Sequence, residues 1–552
     1  MERNREEIFK EYQRWLHDAN PEIVKELGRF TEDQIIDSFF KDLEFGTGGM
    51  RGIIGAGTNR INIHTVARAT QGFSNWLNKN YSTPSVVIAY DTRRMSREFA
   101  QTAAKVLSAN NIKTYLFTEP TPTPVLSFAV RELKCSGGIV ITASHNPPEY
   151  NGFKVYTHDG TQAVPRYAKA ITEEVDKVDF FVELVGNEEF IEEVPQSVMD
   201  SFQDHIIRLI SELLEIHACE PGALRVLYTP LHGTGFKPVV MVLEKLGFKV
   251  DVIQEQCMPD GNFPTVNYPN PEDPEAFNLA LKRPEVNADI IIATDPDCDR
   301  MGLMCRCEDG YTSITGNQMG VIMLEFLLET LKDRLPNDTF VVKTIVTTDL
   351  AKAIAKRYDV EIKETLTGFK FIGELIEKSA VEGSGTFLFG FEESYGYLYG
   401  THARDKDAVV ASALAATVAA SLKKEGVTLI DFLKSIYEKY GYYIEDLKNF
   451  TFKGIKGAKK ITRIMEMLRN ATPKEVAGRK LLDFKDYREG LAGLPPSNVI
   501  EMVYEDELKL IARPSGTEPK IKFYLMTRDT SEENAKAKLE LLKKHVERIV
   551  ES

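Results

Sequence analysis

At 552 residues the chain exceeds what one hydrophobic core supports and reads as roughly three to five domains, while 43% hydrophobic and 27% charged residues is the balance of an ordinary globular protein. Lys+Arg 68 against Asp+Glu 82 leaves a net charge of -14, which argues against nucleic acid or an anionic membrane surface as a partner. The six cysteines make neither a disulfide framework nor a paired C-x-x-C metal pattern, no apolar run is long enough for a membrane span, and the opening MERNREEIFKEYQRW lacks a signal peptide's apolar core, so reduced thiols and a cytoplasmic location are expected.

In chain order, Thr31 to Gln34 has the form of a capping box before Ile35, Ile36, Phe39 and Phe40, which predicts a helix start. FGTGGMRG follows with Gly-rich backbone and Arg51, but without the Gly-Lys-Ser/Thr of a P-loop. From there one pattern recurs: a short β-branched run stops abruptly in a loop of Gly, Ser, Asp or Arg, as in SVVIAYDTRR, GGIVITASHNP, LRVLYTPLHGTG, ADIIIATDPDCDR, FVVKTIVTTD and GTFLFGFEESYG. Most of these runs are followed by helical apolar spacing, for example FAQTAAKVLSA, FKPVVMVLEKLG and GNQMGVIMLEFLLETL. This alternation predicts an α/β protein of βαβ units with mostly parallel, buried strands, whose ligands sit at the carboxyl ends of the strands. QCMPDGNFPTVNYPNPEDPEAF and GLAGLPPSN are expected breaks, Cys305 and Cys307 are expected on one face of a strand, and Thr530 to Glu533 is the expected cap of a final amphipathic helix.

Three of these loops, and a fourth near the C-terminus, carry chemistry. TASHNPPEYNGFK sets Ser144 just beyond GGIVI, where it is expected in a loop open to a cleft. A lone serine there is ordinarily a turn residue, but His145 and Asn146 can orient an oxyanion and Lys154 adds a positive charge, the partners that covalent phosphoryl carriage needs. DPDCDR places Asp295, Asp297 and Asp299 at alternate positions after a buried run; in extended backbone all three project to one side, and their repulsion calls for a hard divalent cation. An EF-hand loop is excluded, since Arg300 stands where Gly is needed and Arg306 where Glu is needed. ARPSGTEPKIKFY gathers Arg513, Ser515, Gly516, Thr517 and Lys520 as a phosphate cradle, with a purely structural turn as the plainer reading. FGFEESYGY offers Glu392 and Ser394 for sugar hydroxyls, or else the cap of a helix.

Taken in order from about Phe45 to Tyr524, these motifs resemble the α-D-phosphohexomutase family, the group of phosphoglucomutases and phosphomannomutases. The resemblance implies four domains, three similar α/β domains with mixed sheets and a smaller C-terminal α+β domain that closes a central cleft, with limits at 1-200, 201-317, 318-440 and 441-552. It marks Ser144 as the phosphorylated serine, with His145, Lys154 and Arg51 beside it as catalytic residues, and Asp295, Asp297 and Asp299 as Mg²⁺ ligands together with an oxygen on Ser144. Arg300, Lys370 in TGFKFIG, Glu392, Ser394, Lys406 in HARDKDA, Arg513, Ser515 and Thr517 match substrate-binding positions.

The implied reaction interconverts α-D-glucose 1-phosphate and glucose 6-phosphate through a glucose 1,6-bisphosphate that also primes the enzyme. The implied partners are small-molecule sugar phosphates, and a monomer or weak homodimer is expected. The chain departs from the commonest metal loop in having Pro296 and Cys298 where glycines are frequent. GTGGMRG and FEESYGY resemble the subgroup of bacterial phosphoglucomutases and animal phosphopentomutases; Ser394, where the latter carry Ala, favours glucose, with phosphomannomutase or phosphopentomutase activity as the alternatives. A metal-dependent sugar phosphatase is the reading from another class, and DPDCDR lacks its Asp-x-Asp-x-Thr/Val pattern; a noncatalytic sugar-phosphate sensor would be expected to have lost Ser144 or an aspartate.

Overall fold

Runs such as VVIA, GIVI and IIIA are apolar at every position, and a strand apolar on both faces has to be covered on both. The computed structural model, which describes residues 2–551 other than Thr47, Leu184, Lys453, Ala477 and 516–519, buries them in that way. The chain forms two compact units, residues 1–316 with 369–390 and 394–426, and residues 317–368 with 391–393 and 427–552.

In the first unit, helices Arg5–Asp18, Pro21–Leu27 and Glu32–Phe39 pack around Trp15 and Phe39. The expected capping box is present: Gln34 N–H donates to Thr31 Oγ1 at 3.4 Å and Thr31 N–H to Gln34 Oε1 at 2.8 Å. A six-stranded sheet follows in the order Gly49–Ile53, Tyr150–Thr157, Gly137–Ile141, Ser85–Tyr90, Lys113–Leu116, Ile191–Glu193. Ser85–Tyr90 and Gly137–Ile141 pair in parallel at its centre, and Phe73, Phe99, Ile139 and Phe153 lie in the core around them. Tyr150–Thr157 returns antiparallel to Gly137–Ile141 and Gly49–Ile53 antiparallel to it, so the sheet is mixed through one reversed strand, Tyr150–Thr157, while the other five run the same way as expected. The reason is local: a loop of eight residues separates Ile141 from Tyr150, too short for a helical crossover but ample for a hairpin.

The second sheet runs Gly310–Ile314, Met301–Cys307, Ile290–Thr294, Arg225–Thr229, Lys249–Val252, with Ile290–Thr294 and Lys249–Val252 parallel to Arg225–Thr229 and the first two strands antiparallel. In register Cys305 faces Thr312 and Cys307 faces Gly310, two steps apart on one face as expected, and all six cysteines are free. The Ala-rich helix Ala408–Lys424 packs on this sheet and is buried all round from Ala408 to Leu422, which is why it lacks a polar face. Strands Thr386–Glu392 and Gly396–Tyr399 are neighbours joined by a tight turn, not by the helix cap that was the alternative for FEES.

The second unit holds a parallel pair, Thr339–Thr344 with Glu361–Thr365, and an antiparallel sheet in the order Tyr442–Thr451, Lys520–Asp529, Leu508–Pro514, Ile500–Tyr504, Arg479–Asp486, Glu475–Val476. Helices Gly454–Asn470 and Glu532–Glu551 supply Met465, Leu468, Leu542 and Val546 to its core. The last helix is capped one residue later than expected: Ser531 Oγ accepts from Asn534 N–H at 3.3 Å, while Thr530 is bound to Asp529. Among the described residues no helix is long and apolar enough to cross a membrane.

Candidate active site

The loop after Gly137–Ile141 carries Ser144, whose backbone is left-handed at φ 51. Its N–H donates to Thr142 Oγ1 at 2.8 Å and its carbonyl accepts from Arg93 at 2.5 Å, so both peptide groups are fixed. The hydroxyl donates to Asp295 Oδ2 at 2.7 Å and lies 3.2 Å from His145 Nδ1. Ser144 is only 3% exposed, where the sequence reading had it open to a cleft; the carboxylate and the imidazole cover it.

The three aspartates converge, with one carboxylate oxygen from each within 4.8 Å of the others, and all are buried. Strand alternation is not the cause. Residues 295–299 form a turn, with Cys298 at φ 52 and its N–H donating to the Asp295 carbonyl at 2.9 Å. Asp295 Oδ1 closes the turn by accepting from Asp299 N–H at 3.1 Å and Arg300 N–H at 3.0 Å. Asp297 accepts at its other face, from Thr123 Oγ1 at 2.9 Å and Lys154 Nζ at 3.0 Å. Asp297 Oδ1 and Asp299 Oδ1 are buried without a hydrogen bond, and orphaned hard oxygens gathered in this way fit a divalent cation of the Mg²⁺ type.

Burial, then the nearby Asp297 and Asp299 carboxylates, push the Asp295 carboxyl well above the ordinary carboxylate range. Burial pulls the same way at Asp297, but there the Lys154 ammonium and the hydrogen bonds outweigh it and hold the carboxyl well below that range. His145 is kept neutral, by enclosure first and by the Arg300 and Arg51 cations next, which together hold its imidazole well below the usual value.

Lys154 lies on strand Tyr150–Thr157, 3.7 Å from Asp299 as well as 3.0 Å from Asp297, so its closest charged neighbours are carboxylates. Lys406 lies 3.2 Å from Asp299 and 3.1 Å from Asp405, with its ammonium 5.7 Å from the ring of Phe369, and Lys370 follows that ring in sequence. Arg300 pairs with Glu272, and Arg51 donates to Asn146 Oδ1 at 3.1 Å. The first unit therefore brings together Ser144, His145, Lys154, Arg51, Arg300, Lys406 and the three aspartates.

Sequence comparison bears directly on this constellation. The models for phosphoglucomutase/phosphomannomutase alpha/beta/alpha domains I, II and III match residues 42–181, 200–310 and 315–440. A phosphoglucomutase of Staphylococcus haemolyticus (strain JCSC1435) is 38% identical over 532 residues, covering 90% of this chain and 95% of that protein. The chain belongs to the α-D-phosphohexomutase family. It is thereby one of the phosphosugar-mutase isomerases, with three α/β/α domains and a fourth C-terminal one. A phosphoglucomutase of Staphylococcus aureus (strain bovine RF122 / ET3-1) is 37% identical, covering 93% of the chain and 94% of that protein. The crystal structure of pp63/parafusin (phosphoglucomutase) from Paramecium shares the fold at a TM-score of 0.69 and 18% identity, over 93% of this chain and 95% of that one.

Of the family's remaining motifs, Glu392, Arg513 and Ser515 lie in the second unit and Ser394 in the first. Glu392 is buried and accepts from Gly368 N–H at 2.8 Å, while Ser394, two residues on, is half-buried. Glu393 is held by Thr347 Oγ1 at 3.4 Å, and burial with the adjacent Glu392 charge pushes its carboxyl up to about 7 against the pull of Lys522 and Arg513. Arg513 stands on strand Leu508–Pro514 opposite Lys522, and Ser515 N–H donates to the Lys520 carbonyl at 2.7 Å. Thr517 and Gly516 lie outside the described residues.

Sequence reasoning missed Arg93, which braces the Ser144 loop, Thr123, which holds Asp297 through both its N–H and its hydroxyl, and Glu272, the partner of Arg300. The signal available was position: Arg93 ends one of the recurrent strand-then-loop runs, SVVIAYDTRR.

Proposed function

We propose that this chain is a phosphoglucomutase, interconverting α-D-glucose 1-phosphate and glucose 6-phosphate through a phosphoserine at Ser144 and a glucose 1,6-bisphosphate intermediate. The observation that carries the reading is the Ser144 hydroxyl 2.7 Å from Asp295 in a triad with two orphaned carboxylate oxygens. Asp295, Asp297 and Asp299 would hold Mg²⁺, which when bound supplies positive charge against the phosphate oxygens. A hexose monophosphate presents its free hydroxyl to the phosphoserine; the bond from phosphorus to Ser144 Oγ breaks and the bond to the sugar oxygen forms, while the hydroxyl proton is taken up by Lys154 acting as the free amine, or by the neutral imidazole of His145 as the second candidate, and a proton returns to the departing Ser144 Oγ to leave it a hydroxyl. The bisphosphate turns round, and its other phosphoryl group returns to Ser144.

Arg51, Arg300, Lys370 and Lys406 are assigned to charge on the transferring group, Glu392 and Ser394 to the sugar hydroxyls, and Arg513, Ser515 and Thr517 to the nonreacting phosphate. Domain limits near 200, 317 and 440 and a cytoplasmic setting go with this reading, the latter supported by the net charge of -14 and the free cysteines.

The test compares kcat/KM for the 1-phosphates of glucose, mannose, N-acetylglucosamine and ribose on one preparation, with mass spectrometry of Ser144 after exposure to glucose 1,6-bisphosphate. Glucose is expected to lead and Ser144 to gain a phosphoryl group. A higher value for another sugar overturns the choice of substrate, and release of inorganic phosphate as the main product overturns the mutase reading itself.

A further inference from the structure

A buried guanidinium is a costly device, since removing a cation from water is offset only by well-placed partners. Arg93 is 3% exposed and spends both terminal nitrogens on one loop. Nη1 donates to the carbonyls of Pro147 at 2.8 Å and Tyr150 at 3.2 Å, and Nη2 to those of Ser144 at 2.5 Å and Asn146. The ring of Phe263, itself buried in the segment between the second domain's strands, has its centroid 5.0 Å from the guanidinium carbon. Asp91 supplies the opposite charge, 3.4 Å from Arg93 Nε. That aspartate also accepts from Thr142 Oγ1 at 2.6 Å, and the same threonine oxygen accepts the Ser144 N–H.

Asp91, through Thr142, and Arg93 thus hold the two peptide groups of Ser144 from opposite ends. A turn that needed only to be closed could use neutral backbone bonds; here a charged fork holds the one residue whose left-handed backbone aims a hydroxyl at the aspartate triad. We propose that Arg93 is a positioning residue for phosphoryl transfer, setting the direction of the Ser144 side chain toward the triad without touching the sugar phosphate. The proposal rests on the reading of Ser144 as the phosphoryl carrier.

The experiment uses full-length Arg93→Lys and Phe263→Leu. Each is phosphorylated with glucose 1,6-bisphosphate, and single-turnover transfer from phosphoserine to glucose 1-phosphate is measured beside KM and the melting temperature. A lysine has one nitrogen and cannot span four carbonyls, so transfer in Arg93→Lys is expected to slow about tenfold or more while KM stays within about twofold. Phe263→Leu, which keeps the guanidinium bonds and loses the ring face, is expected to slow the same step about two- to fivefold.

Unchanged transfer in Arg93→Lys, or a KM that rises in step with the loss, overturns the proposal. Should Arg93→Lys fail to fold, Phe263→Leu decides, and an unaltered transfer rate there overturns it equally. Failure of the unaltered protein to take phosphate at Ser144 would instead sink the functional reading, and this inference with it.

Discussion

Replacing Asp297 with Asn separates what the carboxylate does for folding from what it does for chemistry. Asp297 Oδ2 accepts from Lys154 at 3.0 Å and Thr123 at 2.9 Å, and the amide oxygen of Asn can keep both bonds, with its NH₂ in the place of the orphaned Oδ1. Losing the buried ion pair would cost about 1–3 kcal/mol, reduced because Lys154 retains Asp299 at 3.7 Å; removing one of three crowded like charges gives back a similar amount. Without added metal the melting temperature should therefore stay within about 3 °C of the unaltered protein.

With Mg²⁺ the two proteins should part. A cation at a hundred times its Kd stabilises the folded state by about 2.7 kcal/mol, and a neutral amide in place of one anionic ligand should weaken that binding about tenfold or more. Turnover at high Mg²⁺ should fall about a hundredfold, the equivalent of about 2.7 kcal/mol of transition-state charge stabilisation. Paired titrations of melting temperature and activity against Mg²⁺ make the check. Curves for Asp297→Asn that superpose on those of the unaltered protein would refute the assignment of this carboxylate to the metal.

Arg513→Lys keeps the charge and loses the planar fork, so forward and reverse kcat/KM should both drop by about ten- to a hundredfold while labelling of Ser144 by acetyl phosphate is unchanged; parallel loss of labelling would contradict the anchoring role. Gly49→Ala would place a Cβ 2.1 Å from the Phe153 carbonyl oxygen and 2.9 Å from the Lys154 Cα, and is expected to cost about 1–3 kcal/mol in a denaturant melt. An unshifted midpoint would contradict the pairing of Gly49 with Lys154. Glu445, on strand Tyr442–Thr451, is pushed from the ordinary 4.5 up to about 7 by burial, so the folded state holds its proton longer than the unfolded one and stability falls as pH climbs through that window. Glu445→Gln mimics the protonated form and should be more stable than the unaltered protein by about 1–3 kcal/mol at pH 8, with the gap closing below about pH 4.5; melts that show no gap at pH 8 would refute the shift.

The strands were legible because their code is local. GIVI and IIIA are apolar throughout and β-branched at all but one position each, and both form buried parallel strands with Ser144 and the aspartates just past their carboxyl ends. Convergence of the triad was legible too, but its cause was misread: alternation in the sequence suggested extended backbone, whereas Asp295 folds the loop back on itself through its own side chain. The reversed strand Tyr150–Thr157 of the first sheet escaped because the length of the connection, not the apolar pattern, sets strand direction.

Arg93 and Glu272 could not be assigned from their neighbourhoods. Arg93 meets carbonyls 51 to 57 residues away, and Glu272 meets Arg300 across 28, distances at which only the folded chain says who pairs with whom. Even the last helix shows the limit: Thr530 and Ser531 are equally good caps by composition, and the choice falls to Ser531 because Asp529 engages Thr530.

The left-handed backbone at Ser144 sets stability against activity within a single residue. Holding a side chain at φ 51 costs about 1–3 kcal/mol, and glycine would relieve it. The position is thus worst suited to the residue that the chemistry requires. A directed-evolution campaign scored on heat resistance alone would be drawn toward Ser144→Gly and would return a robust, inert protein, so thermal selection on this scaffold has to be coupled to turnover at every round.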